Sequence, residues 1–114
     1  CLVDLKSAAY GRGTPDAFGK SAAAYDYPMQ AWWYRHVYQL ITGRLLPFYT
    51  ITVETQAPYF VTVGEYSAAD LAVGEERARA AIAEYAERES SGNWAPNPVI
   101  HTFDLPGWYG RQTA

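Results

Sequence analysis

The sequence has a single cysteine, Cys1, and two histidines, His36 and His101, that lie far apart along its 114 residues. One cysteine excludes an internal disulfide framework, and the histidines do not have the spacing of a zinc site. No apolar run reaches the roughly 18 residues that a transmembrane helix needs, so we expect no membrane partner. Internal repeats and low-complexity tracts are also missing.

The amino-acid composition is typical of one folded domain. Hydrophobic residues make up 49% and aromatic residues 16% of the chain, which is typical of a globular protein and unlike a disordered one. A chain of 114 residues can bury one small core. The sequence therefore predicts a single domain.

The first residues of the sequence are apolar and resemble a strand, with no initiator methionine and no secretory leader. A mature lipoprotein can begin at cysteine, but Leu2-Val3-Asp4-Leu5 does not resemble its usual polar tether. We therefore expect residues 1–114 to be the C-terminal portion of a single domain in a longer protein. On that expectation, a site completed by upstream residues is incomplete here.

Charge is distributed unevenly along the chain. Residues 1–44 have five basic and three acidic side chains, whereas residues 45–114 have four basic and nine acidic ones. A net charge of −3 disfavours a uniformly basic nucleic-acid binder. The asymmetry allows a basic working face and an acidic outer layer, but taken alone it is better explained by ordinary surface charge.

Hydrophobic periodicity and punctuation residues predict α/β (α+β) architecture, with one mixed sheet flanked by helices. The predicted strands are residues 1–8, Leu45–Thr55, Tyr59–Val63 and Val99–Phe103, and the predicted helices are Asp16–Ala24, Tyr27–Thr42 and Ala68–Glu89. The second and third strands form a hairpin. Thr14 and Ser67 are expected to cap the first and third helices, and Gly43 to stop the second.

Several apolar residues are expected to pack in the core. The third helix is predicted to bury one face, formed by Leu71, Ala78, Ile82 and Tyr85. Trp32 and Trp33 are interpreted as core and helix-packing residues, with base stacking as the alternative.

Asp4 and Lys6 are the first candidates for chemistry. Two residues apart on a strand, they point to the same face. Metal-dependent phosphodiester cleavage uses such a pair, in which a carboxylate holds a hard cation and an ammonium lies near the attacking water or the phosphate. An acid-x-lysine triplet is common by chance, and a plain surface ion pair is the alternative.

Gln30 and Tyr34 form the second candidate pair. At positions i and i+4 of the predicted second helix they lie one above the other. An amide and a phenol in this arrangement suit a phosphate or nucleic-acid strand beside a metal site. A polar stripe beside a tryptophan-rich core face is the alternative.

The order Asp4-Leu5-Lys6 followed by Gln30-xxx-Tyr34 resembles the PD-(D/E)xK nuclease superfamily, and more closely its exonuclease VIII (RecE-type) branch with phage-encoded relatives. Further landmarks occur in the expected order over nearly the whole chain. They are Tyr25 and Tyr27, Thr52-Val53-Glu54 before Ala57-Pro58-Tyr59, the long helix after Glu65, Gly92-Asn93-Trp94-Ala95-Pro96, and Leu105-Pro106-Gly107-Trp108. The resemblance implies a restriction-endonuclease-like core that is incomplete at its N-terminus.

The resemblance also implies roles for individual residues. Asp4 would be a metal ligand, with the Leu5 carbonyl as an additional one, and Lys6 would be the catalytic lysine that positions water and stabilises the phosphorane. Gln30 and Tyr34 would contact the active site or the DNA backbone. The preceding acidic ligand of the family has no counterpart in this sequence, and one carboxylate binds Mg²⁺ weakly.

The implied function is metal-dependent exodeoxyribonuclease activity at DNA ends in recombination or repair, in the cytoplasm of a bacterial or phage-infected cell. The implied cofactor is Mg²⁺, with Mn²⁺ as an alternative. The expected partners are DNA, a single-strand annealing recombination protein and further copies of the chain. Two alternatives remain open: a catalytically inactive DNA-binding module of the same fold, and a structural or scaffold domain.

Three more polar residues have weaker interpretations. Lys20 and Arg35 are candidate contacts to the DNA backbone. His36 could reach a phosphate, but a hydrogen-bonded structural histidine is the preferred interpretation.

Overall fold

The computed structural model describes residues 1–95 and 100–111. These residues form three strands, three α-helices and one short 3₁₀ helix. In chain order they are β1 (Leu2–Ala8), α1 (Pro15–Ala24), α2 (Tyr27–Thr42), β2 (Phe48–Glu54), β3 (Val61–Gly64), α3 (Ala68–Ser91) and the 3₁₀ helix Tyr109–Arg111.

The three strands form one mixed sheet in the order β1-β2-β3. β1 and β2 are parallel and are connected through α1 and α2, as parallel strands require a crossover. β2 and β3 are antiparallel and form the predicted hairpin. The predicted α+β architecture, one mixed sheet with helices, is therefore confirmed.

The two faces of the sheet differ sharply in polarity. The register aligns Asp4 with Thr50 and Lys6 with Thr52, so these side chains share one face with Glu54. We call this the inner face, because helix side chains contact it and Thr50, Thr52 and Glu54 are buried there. The opposite face is apolar and largely exposed; it comprises Val3, Leu5, Tyr49, Ile51, Val53, Val61 and Val63.

Helices α2 and α3 pack closely where α3 contains glycine. A Cβ atom added to Gly74 would lie 2.5 Å from the carbonyl carbon of Pro28, so only glycine fits there. Around this contact Ala31 and Trp32 of α2 and Ala78 of α3 are buried. Small residues thus bring the two helices together and form much of the core.

The helix termini follow from local signals. Gly43 and Gly92 adopt left-handed conformations and end α2 and α3. Ser67 accepts a hydrogen bond from the Asp70 N–H at 3.1 Å, as expected of a cap. Thr14 is the N-cap of α1, as predicted, but its side chain makes no capping hydrogen bond. Pro15 at the first position needs no partner there, since it has no N–H.

Two predictions of burial were wrong. Ile82 and Tyr85 are exposed, because α3 contacts α2 through its N-terminal half, where Leu71, Gly74 and Ala78 lie. Trp33 is also exposed, whereas Trp32 is buried, since neighbouring helix residues point in different directions.

The predicted strand Val99–Phe103 is not found over Ile100–Phe103, which has no regular structure, and Val99 lies outside the described residues. Over residues 1–95 and 100–111, no helix is both long and apolar enough to cross a membrane.

Candidate active site

Strand β1 places Asp4 and Lys6 side by side on the inner face. The Lys6 Nζ atom lies 2.9 Å from the Asp4 Oδ2 atom, and the two side chains are 18% and 24% exposed. The pair is therefore partly shielded from solvent but still accessible, unlike an ion pair on an open surface. An acidic and a basic group thus meet on the polar face of the sheet.

Helix α2 supplies the other two predicted residues. The Lys6 Nζ atom donates a hydrogen bond to the Gln30 Oε1 atom at 2.8 Å. Gln30 Nε2 in turn donates to the Tyr34 hydroxyl at 3.2 Å, one helical turn further along. Asp4, Lys6, Gln30 and Tyr34 therefore form one continuous chain of polar contacts, which we call the Lys6 cluster.

The sequence did not identify Tyr27 as a residue that contacts the site. The Lys6 Nζ atom lies 4.3 Å from the centroid of the Tyr27 ring, a cation–π contact. Tyr27 occupies the first turn of α2, one turn before Gln30, so the helical period alone could have indicated it. Together with Asp4 and Gln30, this ring holds the ammonium in one position.

Tyr66 is a second residue that the sequence did not reveal. Its hydroxyl lies 3.4 Å from the Thr50 Oγ1 atom on the inner face. Burial raises the pKa of Tyr66 above its ordinary value of 10.0, while the Thr50 hydrogen bond and the Lys6 charge oppose this shift. Tyr66 lies in the connection between β3 and α3, and this connection brings its hydroxyl to Thr50, the neighbour of Asp4 on β2. No local motif signals this contact.

The two predicted DNA-contacting residues lie in different places. Lys20 lines a groove beside Tyr27 at the carboxyl end of β1. Arg35 instead donates through Nε to the Leu46 carbonyl at 2.8 Å and lines a cavity between α2 and α3. The structure therefore brings Lys20, and not Arg35, next to the Lys6 cluster.

His36 does not reach the cluster either. It lines the same cavity as Arg35, and its ring stacks on Trp32 with centroids 4.6 Å apart. The stacking on the indole gives His36 a packing role.

The oxygens of Asp4 and Leu5 are suited to a hard cation. Leu2 donates its N–H to Pro47 and Ala8 accepts from Thr55, so alternate residues of β1 bond to β2. The residues that bond to β2 are thus the even-numbered ones, and the backbone of the odd-numbered Leu5 points the other way. Its carbonyl therefore faces the free edge of β1. Carboxylate and carbonyl oxygens are the ligands that Mg²⁺ accepts. Within residues 1–95 and 100–111, however, no three acidic, cysteine or histidine side chains gather into a metal site.

Glu54 is a buried carboxylate at the far end of the inner face. It is 1% exposed, and its Oε1 atom accepts a hydrogen bond from the Gly13 N–H at 3.1 Å. Its Oε2 atom is buried without a hydrogen-bond partner. This contact ties the loop before α1 to the sheet and so positions the loop at the end of β1.

A mixed sheet with an acid-x-lysine pair beside a Gln-xxx-Tyr helix is the arrangement that the resemblance to PD-(D/E)xK nucleases implies. Residues 1–96 match the family model described as PDDEXK-like domain of unknown function (DUF3799), and the chain belongs to that family. No curated protein matches it.

The fold also resembles a solved structure, that of a "putative exonuclease" from Eubacterium rectale, with a TM-score of 0.65 and 16% sequence identity. The similarity covers 98% of this chain but 47% of the other, so the chain spans about half the length of that protein. Family and fold together support a nuclease-type function.

Proposed function

We propose that this chain carries the lysine-containing part of the active site of a metal-dependent exodeoxyribonuclease, which hydrolyses phosphodiester bonds at DNA ends. The observation that carries the proposal is the Lys6 cluster. Its four members come from β1 and α2, as many as 30 residues apart, yet they meet in one chain of contacts. A surface ion pair requires neither Gln30 nor Tyr34.

Each member of the cluster has a role in this proposal. The Lys6 ammonium, oriented by Gln30 and Tyr27, donates a hydrogen bond to the attacking water or to a phosphate oxygen that gains charge. The Tyr34 hydroxyl is positioned to donate to the DNA backbone. Asp4 and the Leu5 carbonyl would hold Mg²⁺ or Mn²⁺, which, when bound, supplies Lewis-acid stabilisation of the phosphate and lowers the pKa of bound water.

Further metal ligands are proposed to come from outside residues 1–114. Mg²⁺ requires more oxygens than Asp4 and Leu5 supply. Three observations support a contribution from additional polypeptide of the same protein. No described residue pairs with the outer edge of β1, the apolar face of the sheet is largely exposed, and the solved exonuclease is about twice as long as its matched region.

A catalytically inactive DNA-binding or scaffold module of the same fold is the second candidate. One observation favours it: the only carboxylate in the Lys6 cluster is that of Asp4, which pairs with Lys6. In either case DNA is the proposed partner. An annealing recombination protein and self-association remain predictions from the resemblance.

The test uses the full natural polypeptide that contains residues 1–114. It is incubated with linear DNA and with covalently closed circular DNA, in the presence of Mg²⁺, Mn²⁺ or EDTA. Release of nucleotides from linear DNA alone, abolished by EDTA, would support the exonuclease. Binding without cleavage under every metal condition would favour the inactive module, and cleavage of the closed circle would contradict digestion from ends.

A further inference from the structure

A groove adjoins the Lys6 cluster at the carboxyl end of β1. It encloses about 440 Å³ between that strand, the following loop and helix α1. We call it the basic groove; its polar and aromatic lining includes Ser7, Arg12, Phe18, Lys20, Tyr25 and Tyr27. Tyr27 belongs to both places, because its ring also contacts the Lys6 ammonium. The basic groove therefore adjoins the candidate active site through Tyr27.

The residues that the structure describes do not neutralise the charges in the basic groove. Among the described residues, Arg12 and Lys20 form no ion pair and no side-chain hydrogen bond, and no carboxylate lines the groove. Asp16 precedes Lys20 by one helical turn but does not pair with it. By contrast, each of the three arginines Arg77, Arg79 and Arg88 of α3 pairs with a carboxylate. Two unpaired cations in a concave surface favour an anionic ligand.

Aromatic rings give the groove a second property. The Phe18 ring stacks on Tyr27 with a centroid distance of 5.9 Å, and Tyr27 stacks on Tyr25 with a centroid distance of 5.7 Å. Tyr25, the outermost of the three stacked rings, is 72% exposed. An exposed ring fixed by stacking offers a flat face to an unpaired nucleobase, whereas bases in a duplex already stack on each other.

We infer that the basic groove binds single-stranded DNA that leads to the Lys6 cluster, with Arg12 and Lys20 on phosphates and Tyr25 stacked on a base. This inference rests on the proposed function for the direction of the strand, but binding itself requires neither metal nor cleavage. It assigns a polynucleotide ligand to Arg12, which no motif had singled out, and a base-stacking role to Tyr25. It also predicts that frayed or single-stranded ends are preferred to blunt ones.

The test measures binding of a fluorescent oligothymidine to the full natural polypeptide by anisotropy in EDTA, over a series of salt concentrations. The double variant Arg12→Gln/Lys20→Gln is compared with Arg44→Gln/Arg88→Gln, which removes the same charge elsewhere. Loss of two phosphate contacts should weaken binding at least about tenfold and reduce the salt slope by about 1.4. Tyr25→Ala should weaken binding about tenfold through lost stacking. Circular dichroism verifies that each variant folds.

Three outcomes would overturn the inference. The first is the absence of oligothymidine binding, and the second is that the control pair weakens binding as much as Arg12→Gln/Lys20→Gln does. The third is that Tyr25→Ala binds the oligothymidine normally while the unaltered protein binds a blunt duplex of equal length as tightly as the oligothymidine. Failure of the nuclease proposal looks different. In that case the oligothymidine would bind in the groove as described, but the unaltered protein would not cleave DNA with Mg²⁺ or Mn²⁺.

Discussion

The ammonium of Lys6 on β1 and the side-chain amide of Gln30 on α2 are joined by a hydrogen bond of 2.8 Å across 24 residues of sequence. The same ammonium is 2.9 Å from Asp4. Because the bond joins a charged donor to a side chain on a different element, it fixes the lysine relative to both the sheet and the helix. The orientation of Lys6 therefore depends on Gln30 as well as on Asp4.

The first prediction concerns this dependence. Gln30→Leu retains the bulk of the side chain but removes the acceptor for Lys6, so we expect DNA cleavage by the full polypeptide to slow roughly 10- to 100-fold. This range corresponds to the 1.5–3 kcal/mol typical of a hydrogen bond to a charged group. Gln39→Leu, on the same helix outside the cluster, should cleave normally. Equal rates for the two variants would show that Gln30 does not position Lys6.

The second prediction concerns the contact between α2 and α3. Gly74→Ala places a methyl group 2.5 Å from Pro28 backbone atoms, which cannot move aside as a flexible side chain can. We expect the free energy of unfolding to fall by about 1–3 kcal/mol. Gly19→Ala in α1 meets nothing within 4 Å, and should raise it by about 0.5–1 kcal/mol. Urea unfolding measures both, and a stable Gly74→Ala protein would refute the close packing.

The third prediction concerns the buried carboxylate of Glu54. Glu54→Ala leaves the buried Gly13 N–H without an acceptor, which should cost about 1–3 kcal/mol of unfolding free energy. Glu54→Gln keeps an oxygen for Gly13 and removes the charge from a buried side chain whose second oxygen has no partner. It should therefore be the more stable of the two variants. The reverse order in thermal or urea unfolding would contradict this role.

The fourth prediction is a pH dependence from Tyr66. Its pKa is raised by burial above 10.0, so the unfolded chain loses this proton at lower pH than the folded one. Above pH 10 the unfolded state thus binds fewer protons, and the free energy of unfolding falls as pH rises. Tyr66→Phe should make this decrease of the free energy of unfolding with pH shallower. Below pH 10 the substitution should leave the pH dependence unchanged. The exposed Tyr10→Phe serves as control, and an equal change in that variant would exclude Tyr66 as the source.

Local sequence signals were sufficient to predict most of the elements. Tyr27–Thr42 was predicted with the observed bounds, because apolar periodicity and Gly43 both mark its extent. Thr50 and Thr52 illustrate what local signals do not predict. Their alternation predicts a strand, but it does not reveal that the polar side is the buried one. That outcome depends on helices that lie far away in the sequence.

The candidate site likewise has features that the sequence predicted and features that it did not. Asp4 and Lys6, and likewise Gln30 and Tyr34, are spaced by the period of their own element, so sequence alone could pair them. That the two pairs meet came from the family resemblance, since no local rule joins residues 24 apart. Tyr66 had neither a motif nor a resemblance to mark it. Only the path of the chain between β3 and α3 brings its hydroxyl to Thr50.

Cleavage by a Lys6→Ala variant of the full natural polypeptide tests the central claim most directly. The variant and an Arg44→Ala control are assayed on linear DNA with Mg²⁺, and circular dichroism monitors their folding. The account predicts that the Lys6 variant folds but releases no nucleotides above the EDTA background, while the control cleaves at the normal rate. Normal cleavage by folded Lys6→Ala protein would contradict the account.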